Sequence, residues 1–402
     1  MKTFYKKTPV SHTRCFLCYT LFVRKEVKKM KKRNTLELVG LIINIILTAA
    51  FTIIILIETN KLINNYSQKS EIIIILIALI ILYLGMHLQL ILHEIGHLIF
   101  GLISGYKFSS FRIGNIMLIK QKNKFKIKTF KVAGTSGQCI MTPPELTNNK
   151  MPVLLYNFGG AIFNILFATI FIAIYFIFQN NNVINYMIKI LAIYGIYFAA
   201  LNGIPMKMGT IDNDGFNALS LNKNEQAQKA FWTQLKINEM LTKNKRVKEM
   251  PEEWFNLDKD ADLKNSIIAT IAVYNCNRLM DEHEFKKANK KMEKLLKQEN
   301  AIAGIYQNLM ICDRIYCELI EKNLEAANKL YNNEQKKFMK SMENHPSIIR
   351  TNYAISLLLE KDQTKANKFL KAFRKRIKSY PYPSDMKSER ELISIATTIN
   401  KN

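Results

Sequence analysis

Acidic residues are scarce in this chain. Its 32 Asp and Glu residues face 58 Lys and Arg residues, which leaves a formal net charge of +26 over 402 residues. In a soluble protein such a surplus indicates nucleic-acid binding, but the sequence contains no recognisable nucleic-acid-binding motif. The basic residues cluster beside long apolar runs, as they do in membrane proteins. We therefore expect a protein that contacts the lipid bilayer and has no nucleic-acid partner.

Cysteine is also sparse, and the six cysteines do not predict a disulfide framework. They are Cys15, Cys18, Cys139, Cys276, Cys312 and Cys317. All fall in segments that the topology below assigns to the cytoplasm, where thiols stay reduced. Cys15 and Cys18 form a single C-x-x-C pair with no second pair to complete a metal site. The N-terminal stretch does not resemble a cleavable signal peptide, because its apolar part is short and precedes a basic run.

Four apolar runs hold most of the hydrophobic residues: 36–57, 72–105, 153–178 and 183–204. Each reaches the ~18–20 residues that a helix needs to cross a bilayer. Basic residues precede the first run and fill the loop 106–152, and positive charge favours the cytoplasmic side. We expect a multi-pass membrane protein with both termini in the cytoplasm. The composition, rich in Ile, Lys and Asn, is typical of an AT-rich bacterium, so we expect that membrane to be a bacterial plasma membrane.

The second run carries a polar trio inside the apolar segment "LQLILHEIGHLIFGLISGY", residues 88–106. His93, Glu94 and His97 form the pattern H-E-x-x-H. Residues four apart share one face of a helix, so the two imidazoles can bind one metal ion while Glu94 acts as general base. Ionisable groups within a span are costly and are usually functional, which argues against a role limited to helix–helix hydrogen bonds. The pattern predicts Zn²⁺ as the cofactor.

A catalytic zinc ion needs a third protein ligand, and the end of the fourth run offers two candidates. Asn202, Gly203 and Pro205 should end the helix, and Asp212 and Asp214 follow. The glycine after Asp214 permits a tight turn, which favours Asp214 over Asp212. The chain must then fold back toward the membrane after Pro205.

Two of these segments resemble the site-2 protease family, the zinc intramembrane metalloproteases. His93, Glu94 and His97 match the H-E-x-x-H motif of that family. The segment from Asn202 to Asp214 resembles its Asn-Pro-rich break followed by Asp-Gly, in which the Asp binds zinc. The interval in this chain is longer than the common form, and no proline directly follows Asn202.

A third element, "GGAIFN", resembles the Gly-Pro-x-x-Asn element of the same family, with Ala161 where the family usually has proline. The resemblance covers about residues 85–220. It implies a membrane-embedded protease whose metal ligands are His93, His97 and Asp214. It also implies that Gly160, Asn164 and Asn202 lie near the substrate or the metal.

The loop between the second and third runs alternates apolar and basic residues around the polar turn "KQKNK", which predicts a β-hairpin within 106–135. Two interpretations of this hairpin remain open. Its edge can pair with an extended peptide, or its basic face can lie on the anionic inner leaflet.

The C-terminal half has helical periodicity and an internal repeat. Ala-Asn pairs at 288, 327 and 366 recur every 39 residues. This pattern resembles an array of helix hairpins similar to tetratricopeptide repeats, without the full consensus of that family. Such arrays usually bind partners, and the alternative is a helical bundle that only caps the membrane domain.

These observations predict a mainly α fold in three parts. A basic tail covers 1–35, or begins at Met30 if that is the translational start. A transmembrane zinc-protease domain covers 36–215, with about four spans and the hairpin loop 106–135. An all-α, tetratricopeptide-like domain covers 216–402 and offers a surface for a cytoplasmic protein partner.

The predicted activity is cleavage of transmembrane or membrane-associated proteins or peptide precursors by metal-activated water. Glu94 is the predicted catalytic residue. Two alternatives belong to other classes. One is a pseudo-protease or scaffold that binds membrane segments without cutting them, which the intact Glu94 argues against. The other is a metal or proton transport component, which the small number of spans and the lack of an evident inverted repeat argue against.

Overall fold

The computed structural model describes residues 35–401 except 122–123, 130–134, 179–181, 209–210 and 259. The predicted N-terminal tail therefore lies outside the described residues, together with Met30 and the C-x-x-C pair. The described part is mainly helical and carries one small antiparallel sheet. This confirms the mainly α class that the sequence predicts.

Four helices are long and apolar enough to cross a membrane: α1 (Thr35–Asn64), α2 (Glu71–Ile103), α3 (Leu154–Ile177) and α4 (Val183–Gly203). They coincide with the four apolar runs, although α1 continues well past residue 57. Large apolar side chains on them stay exposed, including Ile72 at 74% and Ile177 at 72%. Apolar surface on this scale suits contact with lipid.

The helices α2, α3 and α4 pack against one another, and α1 packs against α4. Phe51 of α1 stacks on Tyr197 of α4 with ring centroids 4.0 Å apart. Glu58 of α1 forms an ion pair with Lys189 of α4 at 2.9 Å. These contacts hold α1 on the outside of the three helices that surround the polar trio.

The loop between α2 and α3 folds into a four-stranded antiparallel sheet of β1 (Lys107–Ile113), β2 (Ile116–Gln121), β3 (Lys124–Thr129) and β4 (Gly137–Thr142). The strand order is β3-β2-β1-β4. The hairpin predicted within 106–135 corresponds to β2 and β3, which pair antiparallel; the sequence did not predict β4, which lies beyond residue 135. The alternation of β2 and β3 is local, whereas β4 pairs with β1 across the whole intervening hairpin.

The chain returns toward the membrane helices directly after α4. Helix α4 ends at Gly203, as its helix-breaking residues predict. A short ribbon of β5 (Lys207–Met208) and β6 (Ile211–Asp212) follows, and α5 (Asp214–Asn222) begins with the predicted ligand. Helix α5 packs against both α3 and α4, so the expected fold-back after Pro205 is present.

Nine further helices follow: α6 (Glu225–Thr242), α7 (Ser266–Asp281), α8 (Phe285–Lys297), α9 (Gly304–Ile320), α10 (Leu324–Leu330), α11 (Asn333–Ser341), α12 (Pro346–Ala354), α13 (Gln363–Ser379) and α14 (Pro383–Lys401), among the described residues. A π-helical turn, Ile355–Leu359, extends α12. Ala288, Ala327 and Ala366 are fully buried, on α8, α10 and α13 respectively. The 39-residue spacing thus marks equivalent packing positions, while the likeness to tetratricopeptide repeats stays a prediction.

The C-terminal helices pack directly against the sheet. Met117 and Ile119 of β2 are buried in the same hydrophobic core as the helices from α6 onward. Gln121 donates a hydrogen bond to the Pro381 carbonyl at 2.7 Å, and the indole of Trp232 on α6 donates to the Pro144 carbonyl at 3.0 Å. The sheet therefore joins the membrane helices to the C-terminal helices.

Candidate metal centre

His93 and His97 lie one turn apart on α2 and point toward the same side. Both are buried, at 5% and 9% exposure. Their Nε2 atoms are 3.1 Å apart. The i, i+4 spacing of the motif thus brings two imidazole nitrogens together inside a membrane-length helix.

Asp214 brings a carboxylate oxygen to this pair of nitrogens, as the third candidate ligand atom. Its Oδ2 atom lies 3.0 Å from His93 Nε2 and 3.3 Å from His97 Nε2. Asp212 is directed elsewhere, because its Oδ2 accepts a hydrogen bond from the Ser266 hydroxyl at 2.8 Å. Of the two candidate acids, only Asp214 lies with the histidines.

The reason for the glycine after Asp214 differs from the predicted one. Gly215 lies within α5, where no turn requires it. A methyl group at Gly215 would lie 2.2 Å from the carbonyl oxygen of Gly203. The glycine is needed for close packing of α5 on the end of α4, and that packing positions Asp214.

Asn213 is a positioning residue that the sequence analysis did not identify. Its Oδ1 accepts hydrogen bonds from the backbone nitrogens of Met206 at 2.9 Å and Phe216 at 3.0 Å. Its Nδ2 donates to the carbonyls of Leu201 at 2.8 Å and Ile204 at 2.6 Å. Asn213 thus caps α5 and ties its start to the end of α4. An Asn directly before a new helix is the N-cap signal that could have found it.

The other ring nitrogen of each histidine is held by an acceptor. His93 Nδ1 donates to Asn164 Oδ1 at 2.8 Å, and His97 Nδ1 donates to the Tyr156 carbonyl at 2.7 Å. The Asn164 amide is oriented in turn by Gln89, which accepts through its Oε1 at 2.8 Å. With Nδ1 carrying the proton, each neutral ring presents an unprotonated Nε2.

This arrangement fits a divalent metal ion such as zinc. Two Nε2 lone pairs and a carboxylate oxygen converge, and three acceptors facing one another need a cation between them. A tetrahedral zinc ion with bonds of about 2.0–2.1 Å separates its ligand atoms by about 3.3 Å. The separations here run from 3.0 to 3.3 Å. His93, His97 and Asp214 are a group that could hold a metal ion.

Glu94 lies next to the ligands and against the sheet. It is 6% exposed, and a methyl group at Gly137 of β4 would lie 2.3 Å from its Oε1 atom. Arg112 of β1 secures this end of β4, because its guanidinium donates to the carbonyls of Gly137 at 3.2 Å and Thr135 at 3.3 Å. Burial lowers the pKa of Arg112, and the nearby Glu94 carboxylate opposes that shift.

Cys139 also lies at this edge but does not resemble a ligand. Burial raises the pKa of its thiol, and Glu94 raises it further. A metal-bound cysteine is a thiolate, so a neutral buried thiol fits a packing role. The Tyr156 hydroxyl donates to the Cys139 carbonyl at 2.8 Å, which joins α3 to β4.

The three residues predicted to lie near the substrate or the metal have different surroundings. Asn164 contacts His93 directly, as described above. Gly160 lies against the same ring, and a methyl group there would lie 2.4 Å from His93 Cε1. Asn202 donates its amide to the Phe198 carbonyl of its own helix at 2.9 Å, so the structure does not bring its side chain to the histidines.

Comparison with known proteins agrees with this geometry. The model of Peptidase family M50 matches residues 79–379, about three-quarters of the chain. No curated protein and no solved structure matches the chain. The matched region contains both histidines, Glu94, Asp214 and the sheet. The chain therefore belongs to peptidase family M50, the site-2 protease family of membrane zinc metalloproteases.

Proposed function

We propose that this protein is a membrane-embedded zinc endopeptidase that cleaves transmembrane segments of proteins or peptide precursors. The observation that carries the proposal is the convergence of His93 and His97, which lie beside Glu94 on a membrane-length helix, with Asp214 of α5. Membership of the peptidase family supports the reaction class. Ionisable groups at such a position are costly unless they serve a function.

In this proposal, His93, His97 and Asp214 hold the zinc ion. When bound, zinc polarises a substrate carbonyl and lowers the pKa of a water molecule. Asn164 and the Tyr156 carbonyl keep the two imidazoles in the tautomer that offers Nε2. Glu94 accepts the proton of the attacking water and returns it to the leaving amine. The close approach of Gly137 of β4 to the Glu94 carboxylate keeps that carboxylate beside the proposed ligands.

The sheet offers a route for the substrate. β4 is the terminal strand, and its first residue, Gly137, lies against Glu94. An extended segment that paired with the outer edge of β4 would run past the general base. Pairing of this kind requires a locally unwound substrate, because the carbonyls of a helix are already hydrogen-bonded. We therefore propose that helix-breaking residues in the substrate favour cleavage.

We also propose that the protein is a multi-pass bacterial plasma-membrane protein with both termini in the cytoplasm. The basic residues of the loop that forms the sheet support this orientation. Helix α2 ends at Ile103, six residues after His97, so a metal bound here would lie about 9 Å from the cytoplasmic end of the helix. Water then reaches the site from the cytoplasm, and the C-terminal helices contact a substrate or a protein partner there.

The test is cleavage of single-span substrates by the purified protein in liposomes. Glu94→Gln is compared with Glu71→Gln, which removes an exposed carboxylate from the same helix. We expect Glu94→Gln to bind zinc and not cleave, while Glu71→Gln behaves like the wild type. If the wild type binds zinc but cleaves none of the substrates in a panel, the result supports the pseudo-protease alternative. Wild type that binds no zinc contradicts the proposal.

A further inference from the structure

A cavity of about 240 Å³ lies among the C-terminal helices, apart from the metal centre. Residues of α6, α7, α9, α12 and α14 line it, and none of them belongs to the His–His–Asp group. Its lining includes six ionisable side chains of both charge types: Arg246, Asp281, Asp313, Arg350, Asp385 and Glu389. Once Asp385 is ionised, the four carboxylates outnumber the two guanidinium groups.

Both guanidinium groups are already engaged. Arg246 donates to Asp281 through Nε at 3.0 Å and also pairs with Glu391. Arg350 donates to Glu389 at 2.9 Å and also pairs with Asp313. Each arginine therefore contacts two carboxylates. Neither guanidinium group is left unpaired to bind an anionic ligand.

Asp385 is the carboxylate of this lining that has no cationic partner. It forms no ion pair with Lys, Arg or His in the part of the chain that the structure describes. Burial and the neighbouring carboxylates of Glu389 and Asp281 raise the pKa of Asp385 to about 7. A carboxylate in this position is stabilised by any cation that enters the cavity.

A second polar group in the lining also lacks a partner. Ser384 is 2% exposed and lines the same cavity. Its hydroxyl oxygen has no hydrogen-bond partner among the described residues. Buried polar groups normally have partners, and an exception calls for an explanation such as a ligand. The lining thus holds one hydroxyl without a hydrogen-bond partner and one carboxylate without a cationic partner among the described residues.

We propose that this cavity binds a single alkylammonium group. An ammonium has a positive charge and three donors, which match a carboxylate without a cationic partner and a hydroxyl without a hydrogen-bond partner in one lining. Tyr274 and Tyr306 also line the cavity, and aromatic rings attract such cations. The volume corresponds to about eight water molecules at ~30 Å³ each, which suits a lysine side chain, a peptide N-terminus or a small free amine.

The cavity lies at the end of the C-terminal helices that touches the sheet. Tyr380 lines the cavity, and the next residue, Pro381, accepts the hydrogen bond from Gln121 of β2. A cationic group bound in the cavity would therefore lie near Tyr380, which directly precedes the residue that contacts the sheet. The cavity is thus separate from the metal centre and lies beside the contact between the C-terminal helices and the sheet.

Ligand-detected NMR titration of the full chain in detergent at pH 8 tests the proposal. The probes are N-acetyl-lysine methylamide, its uncharged norleucine analogue, and butylamine as a free amine. We expect saturable binding of the lysine probe and none of the norleucine probe. Binding of butylamine alone would assign the site to free amines, and binding of both cationic probes would assign it to the shared ammonium group.

Three variants separate binding from folding. Asp385→Asn should weaken binding by about tenfold or more, while Asp260→Asn, an exposed Asp of the same domain, should not change it. Ser388→Leu places a larger side chain in the cavity lining and should block binding without removing a charge. Absence of saturable binding to every cationic probe overturns the proposal. Unchanged binding by folded Asp385→Asn and Ser388→Leu proteins also overturns it.

Discussion

His93 and Asp214 are 121 residues apart in the chain, yet His93 Nε2 lies 3.0 Å from Asp214 Oδ2. The contact joins α2 to the first residue of α5. It depends on the end of α4, the ribbon after it and the Asn213 cap. A local motif supplies two candidate ligands, and the return of the chain supplies the third candidate.

Removal of Asp214 is expected to abolish tight zinc binding. Asp214→Asn replaces a charged ligand with a neutral amide, and the loss should exceed the ~10–100-fold that an outer-shell partner contributes. Zinc content after dialysis against a graded chelator measures the effect. Asp212→Asn is the matched control, because Asp212 bonds to Ser266 instead. Equal zinc content in the two variants would contradict the assignment of Asp214.

Asn164 is expected to tune zinc affinity through His93. Asn164→Leu removes the acceptor for His93 Nδ1, so the ring loses its fixed tautomer and orientation. We expect zinc affinity to fall by ~10–100-fold, as measured by competition with a fluorescent chelator. Thr169→Val on the same helix is the control, since the Thr169 hydroxyl bonds only to the Ile165 carbonyl. Unchanged affinity in Asn164→Leu would show that this contact does not hold the ligand.

A comparison of Asn213→Ala with Asn224→Ala separates the loss of a helix cap from the loss of metal positioning. Loss of an N-cap costs about 1–2 kcal/mol of stability, and the start of α5 also loses its ties to Leu201 and Ile204. We expect both a lower Tm and weaker zinc binding. The control is Asn224→Ala, which removes the cap of α6, where Asn224 accepts from Ala227 N. That variant should lower Tm and leave zinc affinity unchanged; a matching loss of zinc in both would contradict the positioning role.

Stability should depend on pH through Asp385. Its pKa in the folded protein is about 7, well above the ~3.9 of an exposed Asp. Between these values the folded state holds a proton that the unfolded state has released, so stability declines as pH rises from ~4 through ~7. Asp385→Asn removes this decline. The Tm difference between variant and wild type should therefore grow from pH 5 to pH 8, and a constant difference would contradict the shifted pKa.

The sequence was informative where the signal is local. The H-E-x-x-H pattern needs only helix geometry to bring His93 and His97 together, and the four apolar runs need only their length to predict α1 to α4. Gly203 and Pro205 ended α4 as their backbone chemistry requires. In each case the residues that carry the signal are within a few turns of one another.

The sequence was less informative where structure depends on distant partners. β4 was missed as a strand because it pairs with β1 across the hairpin between them. Gln89 and Asn164 come from different helices, and periodicity does not reveal that their amides bond to each other. The cavity beside Asp385 takes its lining from several helices, so no single segment predicts it.

The most direct test of the account is metal-dependent cleavage inside a transmembrane segment. Purified wild-type protein in liposomes is incubated with a single-span substrate before chelation, after chelation, and after readdition of zinc, and mass spectrometry locates the cut. The account predicts a cut within the apolar segment that stops on chelation and returns with zinc. Cleavage that continues after the zinc has been removed, or a cut only outside the apolar segment, would contradict it.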